Sequence, residues 1–158
     1  MGWRNAQNAF GAEGGPVKKI IAVFVLFIAL NALAKANELT VTLEITGVKI
    51  NGGNVYIAVY DSARAFQEDE PYVKFRHGSD LSVVYIETRL GEGFYRVAVF
   101  QDENGNSVLD TGLFGIPREP FGISGYRGRG IPGDFDKLKV WVGPGTNKVS
   151  VNLGYYKF

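Results

Sequence analysis

The stretch that decides the fold is LTVTLEIT, residues 39–46, in which apolar and polar side chains alternate. A period of two residues is typical of a β-strand that buries one face and exposes the other. Gly47 follows directly and is expected to end the strand. The first element predicted after the N-terminal region is therefore a half-buried strand and not a helix.

The same period returns along the rest of the chain. NVYIAVY, residues 54–60, follows the turn residues 51–53 and is apolar on both faces, which predicts a central or covered strand. Further strands are predicted for residues 81–88, 93–100, 136–142 and 147–155. With glycine-rich connections and no convincing long helix, the pattern predicts an all-β chain. We expect an antiparallel β-sandwich of about seven strands, immunoglobulin-like or transthyretin-like, with a small closed barrel as the alternative.

Two segments are predicted to be irregular. Residues 61–80 mix single aromatic residues with charged ones, and we expect a loop that contains a short helical turn. Residues 111–134 are rich in glycine and proline, so regular structure is not expected there. The aromatic residues in this second segment indicate that it packs against the domain.

The N-terminal region has the order of a secretory signal. Lys18 and Lys19 precede the apolar run 20–33, and Ala34-Lys35-Ala36 provides a small-x-small cleavage site. A helix of this run would cover only about 21 Å of a roughly 30 Å hydrocarbon core. The sequence thus predicts a signal peptide at 17–36 and a periplasmic or secreted protein, with membrane anchoring by residues 20–33 as the alternative.

The domain organisation follows from that signal. Residues 1–16 lack apolar periodicity, and we expect them to be a mis-assigned or disordered extension, with translation beginning at Val17. Residues 37–158 are predicted to form a single β-sandwich domain. Because the chain has no cysteine, the exported domain is expected to be stabilised by its own core without disulfides, in a compartment such as a bacterial periplasm. The 17 basic and 16 acidic residues nearly balance, so nucleic acid is not an expected partner.

The segment DENGNSVLD, residues 102–110, is the strongest local indication of specific chemistry. Oxygen ligands are predicted at alternate positions, from the side chains of Asp102, Asn104, Asn106 and Asp110 and the main-chain carbonyl of Val108. These are positions one, three, five, nine and seven of a calcium-loop register. The bidentate glutamate of an EF-hand is missing, because position twelve is Leu113. The prediction is weak, structural calcium binding, on the order of 10⁻⁴ to 10⁻³ M.

Two points qualify this metal site. Glu103 or Glu119 would supply a further oxygen only where the fold brings it near. The alternative interpretation is that Asp, Asn and Gly are turn residues whose side chains bind nearby backbone amides and no ion.

The chain also resembles a known family. GFYRVAVFQDENGNSVLD, followed by LFGIPREPFGIS, is similar to the DUF2141 family of small exported bacterial proteins of unknown function, and the likeness extends over residues 39–155. The usual loop of that family is similar to DxNxNGxxD, and here Ser107 occupies the position of its glycine. The resemblance implies that oxygen-bearing residues recur in the loop, which supports an ion site.

The expected function is a non-catalytic binding or accessory module of the bacterial cell envelope. The alternative is a small envelope hydrolase that uses His77 with the nearby acidic residues 68–70. His77 lies near Ser79 and Asp80 in the sequence, but adjacency does not provide the geometry of a catalytic set, so an enzyme is not expected.

The partner predicted from the sequence is an unknown envelope protein or glycan, and a membrane contact would involve only an uncleaved signal segment. Aromatic residues in or beside loops either bind this partner or fill the ends of the core. They are Tyr60, Phe66, Tyr72, Phe114, Phe121 and Tyr126.

Overall fold

The computed structural model describes residues 38–128, 130, 132–146 and 148–155, with Phe114 described by its backbone only. The predicted N-terminal extension, signal peptide and cleavage site lie outside these residues. Among the described residues, no helix combines the length and apolar character that a bilayer crossing requires.

Strands dominate the described part of the chain. The strands are β1 Leu39–Thr46, β2 Asn54–Tyr60, β3 Val73–His77, β4 Val83–Leu90, β5 Gly93–Asp102, β6 Phe121–Ile123, β7 Val140–Val142 and β8 Lys148–Asn152. The short helical elements are α1 Ala63–Gln67, a 3₁₀ turn Leu113–Gly115 and α2 Phe135–Leu138.

The strands form two sheets, which confirms the predicted all-β class. One sheet has the order β4-β1-β8, and the other has the order β3-β2-β5-β6, with β7 paired to the beginning of β5. The strand pairs are antiparallel except β1 with β8, which is parallel and differs from a purely antiparallel arrangement. Parallel neighbours need a long connection, and here almost the whole domain lies between the two strands.

One hydrophobic core lies between the sheets. Strands β1, β2 and β5 each contribute alternate side chains to it, as the two-residue period predicted. The central residues are Val41, Leu43, Ile45, Val55, Ile57, Val59, Val97 and Val99. Burial of this aliphatic layer is the main source of stability for a domain without cysteine.

The prediction of a loop at residues 61–80 was wrong in its second half, where β3 forms. β3 is an edge strand that pairs antiparallel with β2, and Val73 and Phe75 pack against the core. The alternation in VKFRH is short and largely charged, so its strand character depends on the partner and not on local propensity. The helical turn expected earlier in this segment is present as α1.

The last irregular segment and the strand after it also differ from prediction. Residues 136–138 belong to α2, which begins because the Asp134 side chain accepts a hydrogen bond from the Lys137 amide. Within the predicted loop 111–134, the short strand β6 pairs with β5. Gly122 of β6 lies so close to β8 that an added Cβ would be 2.4 Å from the Asn152 carbonyl oxygen.

Candidate metal centre

The loop 102–110 begins where β5 ends. Asp102, the last residue of β5, is opposite Asn54 and only 1% exposed. Gly53 has a φ of 96°, and an added Cβ there would lie 1.8 Å from the Asp102 carbonyl oxygen. The turn before β2 therefore contacts the loop backbone directly, which requires a residue without a side chain.

The Asp102 carboxylate organises the first half of the loop. Its Oδ1 accepts hydrogen bonds from the amides of Gly105 at 2.8 Å and Asn106 at 3.2 Å. Its Oδ2 accepts one from the Ser107 amide at 2.8 Å. A carboxylate has about four lone-pair sites, so roughly one remains free, on Oδ2. The buried aspartate thus folds the backbone around itself and keeps one place for a further ligand.

The other predicted side-chain ligands converge on Asp110. The side-chain amides of Asn104 and Asn106 both donate to Asp110 Oδ2, the second at 3.1 Å. The amide oxygen of Asn104 accepts from the Asn106 amide at 3.0 Å, and that of Asn106 accepts from the Val108 amide at 2.8 Å. The side chain of Val108 is exposed, so only its main chain is placed to take part.

Glu119 closes the neck of the loop. Its Oε1 accepts from the Glu103 amide at 2.9 Å, and its Oε2 accepts from the Asp110 amide at 3.0 Å. The residue is only 4% exposed, and the neighbouring Arg118 amide donates to the Asp110 carbonyl at 2.8 Å. The fold does bring Glu119 to the loop, but it binds the backbone at both ends. No local pattern could indicate this contact, because it spans 16 residues.

Glu103 points away from the loop. Its side chain is paired with Lys49 Nζ at 2.8 Å and accepts a hydrogen bond from the Tyr155 hydroxyl. The bond from Lys49, and then that from Tyr155, lowers the pKa of Glu103. The same bond to Glu103 raises the pKa of Tyr155 to about 12. This cluster ties the start of the loop to the β1–β2 connection and to the last described residue of the chain.

Gln101 strengthens the same attachment from inside the domain. The Lys49 amide donates to Gln101 Oε1 at 2.9 Å, and Gln101 Nε2 donates to the Lys49 carbonyl at 2.7 Å. A buried side-chain amide thus satisfies both main-chain groups of a turn residue, as a neighbouring strand would. The strand end that carries the loop is therefore fixed from two sides.

The donor set fits a weak site for a hard cation. Calcium takes six to eight oxygen ligands, and this loop offers carboxylate, amide and main-chain oxygens. Binding requires Asn104 and Asn106 to turn their amide oxygens toward Asp110, an exchange of the two nearly isosteric ends of each side chain. Among the described residues, no group of three His, Cys, Asp or Glu side chains could hold a metal. Amide and main-chain oxygens would therefore have to complete the coordination.

Ser107 occupies a position that favours glycine. Its φ is 65°, in the left-handed region that a residue with a side chain adopts at a cost. Its hydroxyl lies 2.8 Å from the Tyr56 hydroxyl, so a side-chain hydrogen bond partly offsets the strain. The positive φ explains why the loop pattern DxNxNGxxD has glycine at this position.

The residues of the hydrolase hypothesis are not brought together. His77 is exposed at the end of β3, and its Nδ1 donates to the adjacent Gly78 carbonyl at 2.7 Å. Glu68 is paired with Arg64 at 2.9 Å on the surface of α1. In the part of the chain that the structure describes, no hydrogen bond links His77 to Ser79, Asp80 or residues 68–70.

Several loop aromatics pack within the domain. Tyr60 and Phe66 meet edge to face at 5.2 Å, and Phe121 stacks with Tyr126 at 6.4 Å. Tyr72 is half exposed and lies against Tyr95. The side chain of Phe114 is outside the description.

The most exposed aromatic pair is one that the sequence interpretation missed. Phe94 of β5 and Trp141 of β7 are 46% and 48% exposed, with ring centroids 4.9 Å apart. Lys139 Nζ lies 4.7 Å from the centroid of Phe94. Phe94 and Trp141 are cross-strand partners on the outward face of β5 and β7. The sequence could have indicated this patch only with the register of the two strands.

The comparisons with known proteins identify a family and give no individual relative. The model of the family described as an uncharacterized protein conserved in bacteria, DUF2141, matches residues 43–150, more than half of the chain. Neither the curated proteins nor the solved structures contain a match. The matched region includes the whole loop 102–110 and Glu119.

Proposed function

We propose that this chain, which belongs to the DUF2141 family, is a non-catalytic binding or accessory module of the bacterial cell envelope with a structural calcium loop. The predicted signal at 17–36 supports export to the periplasm or beyond. The family itself is bacterial and carries no assigned activity. The hydrogen bond of His77 Nδ1 to the adjacent Gly78 carbonyl gives the hydrolase alternative no support.

The observation that carries the calcium proposal is the meeting of Asn104, Asn106 and Asp110 beside the buried Asp102 carboxylate. In the ion-bound state, the two amide oxygens and the Asp110 carboxylate would face the cation, and Asp102 would use its remaining lone pair. The ion would supply positive charge to a loop that carries the carboxylates of Asp102 and Asp110. All of these ligands belong to the loop 102–110. The role of the ion would therefore be structural, to hold the loop in one conformation.

Thermal unfolding of the full-length chain in EDTA and in calcium tests this proposal. For a dissociation constant of 10⁻⁴ to 10⁻³ M, about 10 mM calcium should stabilise the protein by about 1–3 kcal/mol. Asp110→Asn should remove most of this gain, since it replaces a charged ligand at the point of convergence. Asp80→Asn is the matched control, because Asp80 is exposed and distant in sequence from the loop.

Two outcomes would contradict a calcium site. One is an equal melting midpoint of the natural chain in EDTA and in calcium. The other is a calcium gain that Asp110→Asn and Asp80→Asn retain to the same extent, which would indicate a general effect of the salt.

The surface proposed for the partner is the pair Phe94 and Trp141 with Lys139. Exposed aromatic faces provide large contact area at low conformational entropy cost, and they stack on sugar rings or on side chains of another protein. The partner class remains an envelope protein or glycan. In a pull-down from bacterial envelope extract, Trp141→Ala should lose the partner. Tyr85→Ala, at a more exposed aromatic residue of the other sheet, should retain it.

A further inference from the structure

Arg96 is a buried cation on the outer side of the second sheet. It lies in β5 between Tyr95 and Val97, which face the core, so its side chain leaves the sheet on the opposite face. The residue is 1% exposed, and neither Nε nor Nη1 has a hydrogen-bond partner among the described residues. It is an exception to the rule that buried charges are paired.

An aromatic ring covers the Arg96 guanidinium. The Arg96 Cζ lies 4.0 Å from the centroid of Phe66, which belongs to α1. Tyr60, the cross-strand partner of Arg96, meets Phe66 edge to face. The Tyr60 hydroxyl donates to Asp69 at 2.7 Å and so holds the end of the α1 segment over the sheet.

The charged groups around Arg96 act on it through space and do not accept hydrogen bonds from Nε or Nη1. Burial lowers the pKa of Arg96, and the carboxylate of Asp134, before α2, acts in the opposite direction through space. Asp134 is exposed and caps α2, so its charge reaches the guanidinium without a hydrogen bond. An arginine stays protonated in proteins, and therefore the buried charge persists.

We infer that Arg96 anchors a binding site for a small monocarboxylate, with α1 as its cover. A carboxylate accepts the N–H groups of a guanidinium in its own plane, and it would take the place of the Phe66 ring against Arg96. One buried positive charge, on which the Asp134 carboxylate acts through space, favours a monoanion over phosphate or sulfate. This site is separate from the loop 102–110 and goes beyond the proposed function.

The cover can move at little cost. α1 has five residues, and none of them is buried, so its displacement exposes little apolar surface. The contacts that displacement breaks include those of Phe66 with Arg96 and with Tyr60, and that of Tyr60 with Asp69. A bound carboxylate would replace the first of these with charge-assisted hydrogen bonds.

The test follows the arginine Nε–H signals of the ¹⁵N-labelled full-length chain during titration with sodium acetate. The Arg96 signal should move to saturation, and sodium chloride at the same ionic strength should not reproduce the movement. Arg96→Met has no Nε–H signal at this position and is followed through its backbone amide signals; it should weaken acetate binding at least about tenfold while the spectrum stays dispersed. Arg76→Met, at an exposed arginine of β3, should leave binding unchanged.

A second variant keeps the test independent of Arg96 itself. Phe66→Leu keeps an apolar cover but removes the ring that competes for the guanidinium, so acetate should bind several-fold more tightly. An Arg96 signal that ignores acetate, or equal acetate affinity in Arg96→Met, would overturn the site. Tighter binding of inorganic phosphate than of acetate would overturn the choice of a monocarboxylate. An equal response to chloride would indicate an adventitious ion only.

Discussion

The exchange Glu119→Gln is the sharpest test of how the loop is held. The buried carboxylate accepts one amide at each end of the loop, from Glu103 and from Asp110. Glutamine has nearly the same shape, but it offers one oxygen and one NH₂ group. One amide would therefore lose its charged acceptor, and the other would face a second donor in a site that excludes water.

The magnitude follows from these two contacts. A hydrogen bond to a charged group contributes about 1.5–3 kcal/mol, and an unsatisfied buried donor costs about 1–3 kcal/mol. We expect Glu119→Gln to lower the free energy of unfolding by about 2–4 kcal/mol. For a domain of this size, that corresponds to a fall of roughly 8–16 °C in the melting midpoint. Urea unfolding of the full-length chain in EDTA measures the effect without a contribution from calcium.

The matched control is Glu92→Gln, the same chemical change at an exposed residue. It should alter the free energy of unfolding by less than about 0.5 kcal/mol. If Glu119→Gln were as mild as Glu92→Gln, the two amides would have other acceptors. The account of Glu119 as the closure of the loop would then be wrong.

Three further predictions concern the backbone and pH. Gly53→Ala should lower the free energy of unfolding by more than about 3 kcal/mol, because the added methyl group would overlap the Asp102 carbonyl oxygen. Gly154 has open space around it, so Gly154→Ala should lower this free energy by less than about 0.5 kcal/mol. Urea unfolding measures both variants. Ser107→Gly should be more stable than Ser107→Ala by about 0.5–1 kcal/mol, since both lack the hydroxyl and only glycine relieves the left-handed backbone; equal midpoints would contradict this strain. The bond to Glu103 raises the pKa of Tyr155 to about 12, so it stabilises the fold below roughly pH 10 and is lost as pH rises toward 12. Tyr155→Phe should therefore show a shallower loss of stability over that range, and an unchanged slope would contradict it.

The positions of strands could be predicted where one face of the strand is buried and the other is exposed to solvent. The alternation of residues 39–46 and 54–60 matches β1 and β2 because their inward side chains form the core. β3 could not be predicted in this way, since it is a short edge strand whose formation depends on pairing with β2. The strand expected at 136–142 begins as α2 instead, because the local cap at Asp134 determines the conformation of the next residues.

The convergence of side chains within the loop 102–110 could be predicted from the sequence. The contact of Glu119 with both ends of the loop could not. The spacing of residues 102–110 indicated which side chains face one another, and the structure joins Asn104, Asn106 and Asp110 through hydrogen bonds. The role of Glu119 depends on the path of the chain between the two motifs, which no local pattern contains. The unpaired state of Arg96 is equally invisible in the sequence, because an arginine in an alternating strand normally reaches solvent.

The contacts of the loop also limit what an ion can contribute. Asp102 and Glu119 accept five main-chain amides without any metal, so much of the ordering cost of the loop is already met by the protein. Calcium would still have to turn two asparagine amides that accept backbone hydrogen bonds in the present arrangement. A preformed loop favours binding and the displaced hydrogen bonds oppose it, which argues for a weak site. Disrupting the Glu119 closure should consequently destabilise the protein at least as much as removing calcium.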